Sequence, residues 1–161
     1  MTSLVQGRQT LLAAGLLLGI GLGGFFDGIV FHQILQAHNM LSNIIIPNTV
    51  ANIEINMFWD GVFHAFTWIM TIIGLWLLWK SFQEKNLQSG TYFFGAILVG
   101  FGCFNIVEGI IDHLILQLHH VIQRTSAANQ LYSDMAFLIS GIILVAIGIW
   151  LMKKQPMIYK Q

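Results

Sequence analysis

From residue 90 to residue 107 the chain runs for eighteen residues without one charged side chain. A helix needs about 20 apolar residues to cross a bilayer, so a run of this kind largely decides the setting of the whole chain. Residues 11–26 form a second uncharged run. Across the chain 56% of residues are apolar and only 9% charged, against about a quarter charged in soluble domains. An ordinary soluble protein is excluded. The net charge is zero, so nucleic acid is not an expected partner; membrane lipid is. Cys103 is the single cysteine; it permits neither an intrachain disulfide nor a cysteine-rich metal site, and it fits as a small buried hydrophobe.

At 161 residues the chain is expected to form a single membrane domain of four helices. Helix 1 is expected over about 9–35. Arg8 before an apolar run resembles a signal peptide, but no small-residue cleavage site follows, so the run is taken as a retained helix. Gly15, Gly19 and Gly23 lie on one face of it and would let another helix approach closely. Residues 39–52 contain Pro47 and several polar side chains, which marks a linker. Helix 2 is expected over about 53–79, helix 3 over about 90–122 and helix 4 over about 130–152. Arg8, Lys80, Lys85, Lys153, Lys154 and Lys160 fall on one side of this arrangement, and only Arg124 on the other. The positive-inside rule then places both termini in the cytoplasm.

Polar residues recur in register. At an offset of 81, Asp27 corresponds to Glu108, Gly28 to Gly109, His32 to His113, Gln36 to Gln117 and His38 to His119. Five such matches between apolar segments indicate an internal repeat. The fold class expected is therefore an all-α membrane protein in which two helix-hairpin repeats, about 9–79 and 90–152, run parallel and pack as a bundle around an axis along the membrane normal.

Every acid except Glu84, and all six histidines, fall in the outward half or its connections. Ionisable groups at membrane depth are costly, and their default meaning is functional. At a rise of roughly 1.5 Å per residue, His32, His113, Asp60 and Asp134 lie about 10 Å below the outer helix ends. Asp27, His64 and Glu108 lie deeper. His38, His119 and His120 lie near the surface, where they also fit as interfacial residues. On α-helices, Asp27 and His32 point about 140° apart, and His113 and His119 about 120°. No single helix carries a ligand set, so a site must be assembled across the bundle. Imidazole and carboxylate suit zinc or iron ahead of copper. The expected ligands are His32, His64, His113, His119, Asp60 and Asp134, with Glu108, Asp27 and Asp112 as catalytic acid–base or supporting groups.

Three motifs, Phe26-Asp27-Gly28-Ile29-Val30-Phe31-His32, Asp60-Gly61-Val62-Phe63-His64 and Glu108-Gly109-Ile110-Ile111-Asp112-His113, carry a resemblance over nearly the whole chain. It resembles the bacterial membrane-protein family known as domain of unknown function 2243. The resemblance implies a four-helix integral membrane protein of the bacterial inner membrane and supplies no activity. A His-His pair after the first motif, usual in that family, reads His38-Asn39 here, so no ligand role is carried to position 39.

The function expected is a membrane metalloprotein with an outward-facing His/carboxylate site; whether it is a metal-dependent enzyme acting on a lipophilic or periplasmic substrate stays open. Alternatives stay open: a haem- or quinone-binding electron carrier, a proton or metal transporter, and a metal-delivery or assembly factor for a respiratory complex. A homo-oligomer is compatible with each.

Overall fold

A computed structural model describes the backbone of residues 2–84 and 89–154, with side chains from Gly7 onward. Lys85 and Lys160, two of the six cations counted toward the expected orientation, lie outside the described residues. The described chain is all-helical. α1 spans Thr2–Phe26, α2 Val50–Gln83, α3 Gly90–Glu108 and α4 Ala127–Lys153. α1 and α3 each continue into a π-helical segment, Asp27–Ile34 and Gly109–Ile115 respectively. The four apolar spans, counting those extensions, are 28, 34, 26 and 27 residues long, each enough to cross a bilayer.

Helix starts follow hydroxyl caps. Thr49 Oγ1 accepts from the Asn52 N–H (3.2 Å), and Ser126 Oγ from the Asn129 N–H (3.3 Å). These caps start α2 and α4 three residues earlier than expected, because each satisfies an N–H that the first turn leaves free. The start of α3 at Gly90 matches expectation, with Ser89 as its cap. The end of helix 3 does not. It was expected near 122, but helical structure stops at Ile115. In both π-helical segments the last bonds reach backward by more than an α-turn. The Leu35 N–H donates to Val30 O (2.9 Å) and the Ala37 N–H to Phe31 O (2.8 Å); Leu116 donates to Ile111 (2.8 Å) and Leu118 to Asp112 (2.8 Å). Gln36 and Gln117 then take positive φ, 48° and 49°, a left-handed conformation that stops a helix and reverses the chain.

The helices stand in the order α2, α1, α3, α4. α1 packs on α2 and α3, α3 packs on α4, and α2 and α4 do not touch among the described residues. Glycine seams set these contacts. A Cβ on Gly15 would lie 2.5 Å from the Ala96 Cβ, and one on Gly23 would lie 3.0 Å from the Phe104 ring, so the face predicted for close approach is the one α3 occupies. On the α3–α4 side a Cβ on Gly148 would meet Gly95 O at 2.5 Å, and one on Gly141 would meet Gly102 O at 2.8 Å. The outer helices turn large apolar side chains outward, among them Trp68, Trp76, Ile139 and Trp150. Apolar surface on this scale suits lipid rather than water.

Candidate metal centre

The two π-helical segments explain how the polar residues meet. When backbone bonds run from i to i+5, residues five apart fall on one face. Asp27 and His32 are five apart, as are Glu108 and His113, and each pair points to the same side. The α-helical expectation of about 140° between Asp27 and His32 is therefore corrected by the local helix type. The left-handed glutamines then fold the following residues back, which brings His38 and His119 under the helix ends. His113 and His119 do not share a helix, so their expected divergence does not apply.

Six side chains converge between the ends of α1 and α3: Asp27, His32, His38, Glu108, His113 and His119. All are buried, none more than 4% exposed. The His38 and His119 rings stack, centroids 4.4 Å apart with 5° between planes. His32 lies 4.4 Å from His38, and His113 4.8 Å from His119. Two overlapping groups, His32/His38/His119 and Glu108/His113/His119, offer nitrogen or oxygen atoms within 4.8 Å of one another. Phe63, Phe104, Val121 and Phe137 pack around them as an apolar shell.

Hydrogen bonds outside the cluster fix which nitrogen each ring turns inward. His38 Nδ1 donates to Val121 O (3.0 Å), and His119 Nδ1 donates to Met40 O (3.0 Å). A carbonyl can only accept, so each Nδ1 carries the hydrogen, and in the neutral ring Nε2 keeps its lone pair. Burial pushes the His119 imidazole well below the usual histidine range, which keeps it neutral. These Nε2 atoms have no hydrogen-bond partner, and they face carboxylates: His38 Nε2 lies 3.9 Å from Asp27 Oδ2, and His119 Nε2 3.9 Å from Glu108 Oε1. His32 Nδ1 contacts Asp60 Oδ1 at 2.9 Å, while its Nε2 sits 2.9 Å from Asp27 Oδ2 without the alignment of a hydrogen bond. Both oxygens of Asp27 and of Glu108, and both ring nitrogens of His113, also lack hydrogen-bond partners. At His38 and His119 the neutral ring thus sets an acceptor nitrogen against a carboxylate oxygen.

The other expected site residues sit around this centre. Asp60 accepts from His32, from the Met40 N–H (2.7 Å) and from Asn39 Nδ2 (3.0 Å). Asp134 accepts from the Val121 N–H (3.0 Å) and contacts His120 Nδ1 (2.7 Å), while His113 Nδ1 is farther away at 3.6 Å. Because α2 and α4 flank the central pair, Asp60 and Asp134 reach the histidines from opposite sides. His64 donates from Nδ1 to Asp60 O (2.7 Å) and packs on Gly28; the groups that converge within 4.8 Å do not include it. Asp112 lies partly exposed beside Glu108, toward the gap between α2 and α3. His38 was not among the expected ligands. The repeat was the signal for it, since its match to His119 is as good as that of His32 to His113.

No curated protein and no solved structure matches the chain. A family model does, over residues 14–155, which include all six converging side chains. The chain belongs to the family of predicted membrane proteins termed DUF2243.

Proposed function

We propose that the protein is an integral membrane metalloprotein, with Asp27, His32, His38, Glu108, His113 and His119 as the donors to its metal centre. The observation that carries this reading is the inward-facing set of buried imidazole nitrogens and carboxylate oxygens without hydrogen-bond partners. Such an arrangement is strongly unfavourable unless a cation or added protons sit among the acceptors. Four imidazoles and two carboxylates make a donor set sufficient for a pair of ions, and zinc or iron suits it better than copper. Asp60 and the Val121 and Met40 carbonyls are the outer partners that set ring orientation at metal sites. Stacked rings 4.4 Å apart leave no slot for a porphyrin between them, which favours a bare ion over haem.

The two halves of the chain are, on this reading, copies of one hairpin. The bonds of 35 to 30 and 116 to 111, of 37 to 31 and 118 to 112, and of His38 to 121 and His119 to 40 are all related by the offset of 81. The cation bias supports a centre in the half of the membrane away from the cytoplasm. A metal there would supply Lewis acidity or redox chemistry. The chain's own residues would orient the imidazoles and keep bulk water out with the phenylalanine shell.

Metal analysis by mass spectrometry of protein purified without chelators tests the centre. The expected result is a transition metal in fixed ratio to chain, lost from His38→Ala and His119→Ala and kept in His64→Ala. A metal-free protein, or one whose metal is indifferent to His38 and His119, would overturn the proposal. Orientation is tested by single cysteines at Asn43 and Asn86 in a Cys103→Ser background, which should label from opposite sides, Asn43 from outside.

A further inference from the structure

α2 and α3 both pack on α1 but not on each other, and the gap between them is a cavity of about 450 Å³. Its walls are aromatic: Trp59, Phe63 and Phe66 from α2 and Phe104 from α3. Trp59, Val62, Phe66 and Val107 are also 43–55% exposed on the surface that faces lipid. The cavity therefore opens sideways into the bilayer. Its polar end is formed by two carboxylates, Asp112 and Glu108. Glu108 belongs to the converging cluster. Asp112 stands one turn farther out, and its carboxylate receives no side-chain or backbone hydrogen bond among the described residues. At the corresponding position of the first half stands Phe31, whose ring packs on Phe26 and His38.

We infer that this lateral groove binds a lipid-soluble phenol, its ring held between the aromatic walls and its hydroxyl donating to Asp112 beside the metal centre. Each part of the assignment follows from a different feature. The opening toward hydrocarbon selects a molecule that partitions into lipid. Aromatic walls favour a flat ring, which stacks or meets them edge-on. An acceptor without a donor selects a hydroxyl. A cationic amine would satisfy the charge as well, but it would have to shed its hydration to cross hydrocarbon on the way in, which a neutral phenol does not. The inference names a substrate class for the centre proposed above and rests on that centre for any chemistry; the binding step does not need it.

The test uses full-length protein in lipid nanodiscs with decylhydroquinone as the probe and its dimethyl ether as the control. The readout is quenching of Trp59 fluorescence, isolated as the difference between the wild type and Trp59→Phe. Bound metal is measured on the same samples. Saturable binding is expected for the hydroquinone, with about tenfold weaker binding of the ether and a similar loss in Asp112→Leu, as for one hydrogen bond removed. Val62→Trp should fill the groove and abolish binding while metal content stays unchanged. Hydroquinone binding to metal-free wild type would leave the groove standing and remove the metal proposal. Full metal content without saturable binding would do the reverse. Equal binding of the ether, or unchanged binding in Val62→Trp, would overturn the groove.

Discussion

The two halves of the cluster share a plan and differ in its details. In the first half, His32 is held tightly, with Asp60 and Asp27 each 2.9 Å from one of its nitrogens. In the second, His113 stands 3.6 Å from Asp134 and has no hydrogen bond on either nitrogen. Asp134 turns instead to His120 at 2.7 Å, where Asp60 holds Asn39 at 3.0 Å. Phe31 closes the first half where Asp112 opens the second to the groove. The acid itself is longer in the second half, Glu108 in place of Asp27. One half is thus preorganised and sealed, and the other is loose and adjoins the bilayer. A metal centre built this way would have one position suited to holding an ion and one suited to exchanging ligands.

The sharpest break of the comparison comes from the shared member. His119 belongs to both groups of potential donors, so His119→Ala should lose essentially all bound metal. His32→Ala and His113→Ala should each lose part of it, and the double variant should lose little more stability than the worse single one, because members of one network are not additive. Full metal content in both single variants, with additive losses of melting temperature, would make these separate structural histidines.

The next largest effect separates the two outer aspartates. Asp60→Ala strands three donors in a buried setting and should cost about 3–5 kcal/mol; Asp134→Ala strands fewer close partners and should cost about 2–3 kcal/mol. Reversible unfolding in mild detergent would measure both. Equal costs would mean that the difference in His113 geometry has no energetic weight.

Smaller still is the exchange of the partners themselves. Asn39→His puts into the first half the residue that the second has at His120, and His120→Asn does the converse. Each should keep its metal and change stability by about 1 kcal/mol or less, since one donor to a carboxylate replaces another. Loss of metal from either would place these residues inside the centre rather than around it.

Two glycines carry a further contrast between the halves. A Cβ on Gly28 would lie 2.5 Å from His64 Nε2, whereas one on Gly109 would meet nothing nearer than 3.5 Å. Gly28→Ala should cost about 1–2 kcal/mol, and the cost should vanish in a His64→Ala background. Gly109→Ala should stay within about 0.5 kcal/mol of the parent. Melting curves of the four variants would show it; a cost for Gly28→Ala that survives His64→Ala would point to the backbone instead.

The four spans can be read from hydropathy because lipid leaves a helix no alternative. The correspondence at 81 is equally visible in the residues, and it contains all six converging side chains. Hidden from the sequence is the geometry that makes them converge. Apolar residues surround Asp27 and Glu108 on every side, so no periodicity shows where α-helical bonding gives way to i to i+5. Nor does glutamine at 36 or 117 announce a left-handed residue, as glycine would. Counting by the α-helix therefore separates Asp27 from His32 and leaves His38 at the surface. Asp60 and Asp134 could be placed by depth, but depth alone cannot distinguish a group in the centre from one that holds a histidine behind it.

The order of the helices also has a consequence in time. The ring of His38 is held by the carbonyl of Val121, 83 residues later in the chain, and the carbonyl of Met40 waits for His119. When synthesis has delivered only the first hairpin, half of the histidines exist, and the tether that points His38 inward does not. A cation captured then would meet an unfinished grip. On the metal reading, capture would follow the arrival of α3 and of the segment through Val121 that carries both tethers, so the first hairpin alone would not form the pocket.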